Sequence, residues 1–146
     1  MLLLAGMMIA CGKEDDIDMS NIDFSNIENL YAQPLSVIQK AVQGKWKVYS
    51  AFSDGIIYNV TYPENMFIEF ENDHYNISSA TEYQSFYFIW KKLAIENWRD
   101  PIYGYTTYVM WGGDIINNWY FERIKNDTLS MCAHSAPIGY SVVRIK

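Results

Sequence analysis

From Gly44 onward the helical period disappears and the chain breaks into short runs rich in Val, Ile, Phe, Tyr and Trp, each ended by turn-forming residues, a pattern that reads as strands. The runs read as Lys45 to Phe52, Met66 to Glu71, His74 to Ser78, Ser85 to Ile95, Tyr105 to Trp111, Asn118 to Lys125, Thr128 to His134 and Gly139 to Lys146. Ser53-Asp54-Gly55, Glu71-Asn72-Asp73, Gly112-Gly113-Asp114, Asn126-Asp127 and Pro137 to Gly139 supply the turn chemistry between them. Short links between successive strands imply an antiparallel meander. A meander with no covering helices has to protect its edge strands. Closure into a barrel does this and leaves an interior that side chains or one small ligand can fill. The expected fold is all-β, an antiparallel up-and-down β-barrel of about eight strands, with a two-sheet sandwich as the structural alternative.

Alternation within the runs assigns faces. Trp46, Val48 and Phe52 share one face of the first strand while Lys45 and Lys47 take the other, as in a half-buried wall. In Ser85 to Ile95 both faces are apolar, so one of them should be covered by a helix, a loop, a partner or a ligand. Ahead of the strands, Tyr31, Leu35, Ile38, Ala41 and Val42 recur at helical spacing. Pro34 suits the first turn and Gly44 the end, which predicts one short N-terminal helix over Pro34 to Gln43.

The first thirty residues have a different character. Met1 to Ala10 is apolar but far shorter than the roughly 20 residues a membrane-spanning helix needs. It fits the hydrophobic part of a secretory signal, with small residues before the break at Cys11. Residues 12 to 29 hold six acids against Lys13, which accounts for nearly all of the net charge of -6. So polar a stretch buries little and reads as a flexible acidic tether. The expected organisation is a signal over residues 1–10, a tether over 11–30 and a single domain over 31–146, and 146 residues suffice for one core. With a net negative charge and no basic cluster, nucleic acid is excluded as a partner.

Met8-Ile9-Ala10-Cys11 resembles the bacterial lipobox, and Gly12-Lys13-Glu14-Asp15-Asp16 behind it is similar to the acidic surface-export signal of lipoproteins of the Bacteroidota. That resemblance implies lipid attachment at Cys11, a membrane anchor, and location on the outer membrane facing the cell exterior. Gly44-Lys45-Trp46 resembles the Gly-x-Trp that opens the first strand of lipocalins, which a short helix also precedes. The lipocalin likeness implies that Trp46 closes one end of the barrel with Arg144, from the final segment, stacked across its ring. With Asn126-Asp127-Thr128-Leu129 near the end, the order of motifs is similar to the lipocalin-like domain lipoproteins of the Bacteroidota. It implies architecture and location more than activity.

Chemistry leaves few marks. Cys132 reads as a small buried hydrophobe, and His74 and His134 as exposed residues at strand edges. Glu69 and Glu71 share a strand face opposite Ile68 and Phe70, the pattern of a solvated outer face. Neither a metal motif, nor a nucleophile elbow, nor a phosphate-binding glycine loop is present, so no cofactor, metal or enzymatic activity is expected. The remaining feature is the aromatic content of residues 90 to 120. Those rings pack the barrel, line a cavity for a small apolar or amphipathic ligand, or form a protein- or glycan-binding surface. Trp90, Tyr105, Trp111 and Trp119 are the candidate ligand-binding residues, and an inhibitor or accessory component of glycan uptake is the alternative function.

Overall fold

The computed structural model describes residues 24–53, 56–58, 65–98, 100, 102–113, 118–125 and 127–146, with the side chains of 52–53 and 56–58 outside that description. Cys11, the apolar residues 1–10 expected to be a signal, and the acidic stretch through residue 23 lie outside the described residues. Two helices, α1 (Ile27–Tyr31) and α2 (Leu35–Val42), precede ten strands. These are β1 (Gly44–Ser53), β2 (Ile56–Tyr58), β3 (Phe67–Phe70), β4 (His74–Ser78), β5 (Tyr83–Tyr87), β6 (Ile89–Ala94), β7 (Thr106–Trp111), β8 (Asn118–Lys125), β9 (Thr128–Ala133) and β10 (Ile138–Arg144). They form one curled antiparallel sheet, a half-barrel in outline, in the order β5-β4-β3-β1-β10-β9-β8-β7-β6, with β2 paired to β1.

Two departures from the expected eight runs have local causes. The run Ser85 to Ile95 divides at Phe88. Its first part pairs with β4 through Tyr87 and His74, the Phe88 amide donates to the Asp73 carbonyl at 2.9 Å, and its second part pairs with β7 from Ile89 and Trp111. A single stretch of chain thus supplies both edges of the sheet. Strand β2 is an addition, pairing antiparallel with β1 from Ser53 and Ile56 to Ala51 and Tyr58. A bulge between Val48 and Ser50 also reverses the alternation in β1, which buries Ala51 and leaves Tyr49 exposed.

First and last strands are neighbours, Trp46 lying opposite Arg144. The Arg144 guanidinium carbon sits 4.1 Å from the Trp46 ring centroid. Its two arms donate to the last carbonyls of α2, to Gln43 at 2.8 Å and Ala41 at 2.7 Å, and the Trp46 indole donates to Val42 at 2.8 Å. Helix ends leave such carbonyls without intrahelical partners, and a cation there also complements the helix dipole. Gly44 makes the approach feasible: its φ is +104°, and a Cβ on it would lie 3.3 Å from Arg144 Nη1. From the β8–β9 turn, the Asp127 carbonyl accepts from the Arg144 amide at 2.7 Å.

Residues 24 to 30, grouped with the acidic tether by charge, pack on the domain instead. Asn26 caps α1 by accepting from the Asn29 amide at 2.8 Å, and Leu30 is fully buried. Strands β7 and β8 pair only at Met110–Trp119 and Trp111–Asn118. At the next positions the register would place Tyr108 opposite Phe121. There the Tyr31 hydroxyl intervenes, donating to the Tyr108 carbonyl at 3.1 Å and accepting from the Phe121 amide at 2.9 Å. Farther along, the Ile124 amide donates to the Phe24 carbonyl at 2.7 Å. The N-terminal segment therefore stands in for β7 along the lower half of β8. Tyr31→Phe, which removes both hydroxyl bonds and keeps the ring, is expected to lower unfolding free energy by about 1–3 kcal/mol in urea denaturation. An unchanged midpoint would refute this role for the hydroxyl.

Candidate functional site

Paired residues in an antiparallel ladder point to the same side, so the register assigns faces across the sheet. One face carries Trp46, Ile68, Phe70, Phe121, Leu129, Met131 and Val142, all buried, and these form the concave core. Beside that floor lies an aromatic ring drawn from both arms of the sheet. Tyr75 stacks on Phe86 at 5.1 Å and leans on Phe88 at 6.2 Å; Phe88 meets Trp90 edge-on at 5.5 Å. Trp90 pairs with Met110 and Met110 with Trp119, whose indole donates to the Tyr75 hydroxyl at 3.2 Å. Tyr140 lies 5.3 Å from Trp119. Burial divides the ring into a floor and a rim, with Tyr75, Phe88 and Trp119 buried and Phe86, Trp90 and Tyr140 half-buried. Burial pushes the Tyr75 hydroxyl up to about 12, against the opposing pull of the Trp119 N–H, so it stays a neutral phenol.

Only two of the four candidate ligand residues meet here. Trp90 and Trp119 are on the inner face. Trp111, one residue beyond inward-facing Met110, falls on the opposite face, where it packs 5.8 Å from the His134 ring and 4.7 Å from the Lys91 ammonium. Tyr105 precedes β7 and is exposed. The period of two in a strand separates residues that a list of nearby aromatics groups together. Tyr75, Phe86, Phe88 and Tyr140 were the residues missed. Alternation of Phe86, Phe88 and Trp90 was readable, but their meeting with Tyr75 and Tyr140 depends on how the sheet curls.

The opposite face of β8 and β9 is also buried, beneath the β6–β7 connection. His134 is not an exposed edge residue: it is buried, with Nε2 2.7 Å from the Ala94 carbonyl and Nδ1 2.8 Å from Ser135 Oγ. The cause is that its backbone extends the ladder, donating to Asn118 at 2.7 Å and accepting from Glu96 at 3.2 Å, so the connection folds over it. Nearby, a ligand atom each from Asp100, Glu122 and Cys132 lie within 4.8 Å of one another, and the Tyr120 hydroxyl donates to Asp100. Glu122, two residues from Tyr120 and so on the same face of β8, sits at a bulge between Phe121 and Arg123. Burial raises the Cys132 thiol and the Tyr120 hydroxyl far above their ordinary ranges, with Glu122 adding to both. A thiol so raised is neutral and no nucleophile.

Glu122 is itself raised, chiefly by burial and also by Asp100, while hydrogen bonding to Cys132 and the charge of Arg123 oppose the shift. An acid whose pKa rises on folding holds its proton more tightly in the fold than when unfolded. Its ionisation therefore costs stability as pH climbs from the ordinary carboxylate range through the raised value, and none is lost below that window. Glu122→Gln is expected to raise the melting temperature at neutral pH and to lose that advantage near pH ~4. Thermal unfolding followed by circular dichroism at both pH values checks this, and an advantage that persists in acid would count against it.

No known protein family, curated protein or solved structure matches the chain.

Proposed function

We propose that the protein is a non-enzymatic, lipid-anchored lipoprotein of the outer membrane, displayed to the exterior, whose curled sheet is a lipocalin-like barrel that takes a small apolar or amphipathic ligand. The barrel reading rests on topology. The first and last strands pair, the meander returns on itself, and the continuous chain through Phe88 joins the two sheet edges. The observation that carries the ligand reading is the division of the aromatic ring into a buried floor of Tyr75, Phe88 and Trp119 and a half-buried rim of Phe86, Trp90 and Tyr140. Concave, aromatic and mostly apolar surface with few polar groups is the usual chemistry of a small-molecule site. A neutral Cys132 thiol and a hydrogen-bonded His134 support the absence of nucleophilic catalysis.

Native mass spectrometry of the full chain purified from its own host is expected to retain a small molecule. The Tyr140→Arg variant, with a charge across the rim, should lose it. Bare protein on repeated preparation would overturn the ligand reading. A second reading draws on the outer face of the same stretch of chain, where Tyr83, Tyr87 and Ile89 are 67%, 71% and 60% exposed. Such a row suits docking to a protein or a glycan. The anchor is tested apart from either. With Cys11→Ser the chain should leave the membrane fraction, and retention there would refute lipid attachment.

A further inference from the structure

We infer that the ligand of this interior is an uncharged molecule with a flat apolar body and one hydrogen-bond acceptor, a carbonyl or ether oxygen, received by the Trp90 indole N–H; the inference rests on the small-ligand reading above. Trp90 Nε1 is buried and has no acceptor among the described residues. An indole nitrogen can only donate, and a buried donor left unmade is expensive, so a molecule that displaces the half-buried rim of Phe86 and Tyr140 and brings an oxygen to this nitrogen is favoured. The ring is held in place from two sides, edge-on by Phe88 at 5.5 Å and tilted by Phe121 at 6.1 Å.

The other side-chain N–H donors named on the inner face are already engaged. Trp119 gives its N–H to the Tyr75 hydroxyl, Trp46 gives its own to Val42, and both arms of Arg144 are committed to helix carbonyls. Lys92, two residues beyond Trp90, is exposed with its ammonium 5.4 Å over the Tyr108 ring, outside the aromatic ring system around Trp90. A carboxylate drawn into that ring would lose its water and gain a single neutral donor, a poor exchange for a full charge. A neutral oxygen loses far less. The aromatic walls favour planar bodies, which stack or meet ring edges at the 5–6 Å spacings already present between Tyr75, Phe86, Phe88 and Trp90.

Three probes of one shape separate these contributions: 2-acetonaphthone, with a neutral acceptor; 2-ethylnaphthalene, with none; and 2-naphthoate, with a charge. Affinities for the full chain are measured by ligand-observed NMR at neutral pH, together with the Trp90 indole N–H resonance in the 15N-labelled protein. The ketone is expected to bind roughly tenfold more tightly than either of the others, a single good hydrogen bond's worth, and to move the Trp90 N–H resonance downfield. In Trp90→Phe the ketone should fall to the affinity of the hydrocarbon while the hydrocarbon is unchanged. Should that variant fail to fold, the wild-type indole resonance decides: a shift with the ketone and none with the hydrocarbon supports the inference, and equal behaviour overturns it. Equal affinities for ketone and hydrocarbon, or naphthoate binding best, would overturn the neutral-acceptor class and leave the ligand site standing. Failure of all three to bind would remove the site itself.

Discussion

The contact between Arg144 and Trp46 is the constraint on which the rest of the structure depends. The guanidinium, 4.1 Å from the indole, joins the last strand to the first and takes two carbonyls at the end of α2 while the indole takes the third. A cation over an aromatic ring is worth about 0.5–2 kcal/mol, rising with desolvation. Here the same group also satisfies helix-end carbonyls that burial would otherwise leave costly. The arrangement works because Gly44, at a backbone angle other residues rarely adopt, lets the helix end and the strand begin within one residue of each other. With Asp127 bound to the Arg144 amide, the first strand, the last strand, the helix and the β8–β9 turn converge on a single residue.

Strand β8 shows how differently the two halves of the sheet are supported. On the concave side it contributes Trp119 and Phe121 to the core; on the other it contributes Tyr120 and Glu122 to a polar group with Asp100 and Cys132. Burial on both faces requires cover on both, and the β6–β7 connection supplies the second layer. The cost is borne by Glu122, which the fold holds closer to its neutral form. Where β7 parts from β8, the Tyr31 hydroxyl completes the broken ladder, so a strand edge that would stand open is satisfied by a residue from the N-terminal segment. At the opposite limit, Tyr83, Tyr87 and Ile89 leave an apolar row facing outward with little cover, so the expectation that one face of this stretch is sheltered holds on the inner side alone.

Period-two patterning and turn residues were enough to predict an antiparallel β meander after Gly44 and a short helix ending there, because both depend on local preference. The partnership of Trp46 with Arg144 was expected only from the resemblance of Gly44-Lys45-Trp46 to the lipocalin motif. The division at Phe88 and the bulges at Tyr49 and Glu122 were not readable, because partner exchange and bulging are decided by which strands lie alongside. Burial of His134, the docking of Phe24 to Tyr31 and the separation of Trp111 from Trp119 likewise belong to tertiary structure. Residues distant in the chain converge only when the sheet curls. That curl sets Tyr75, Phe88, Trp90 and Trp119 into one ring and leaves the Trp90 N–H buried without an acceptor among the described residues.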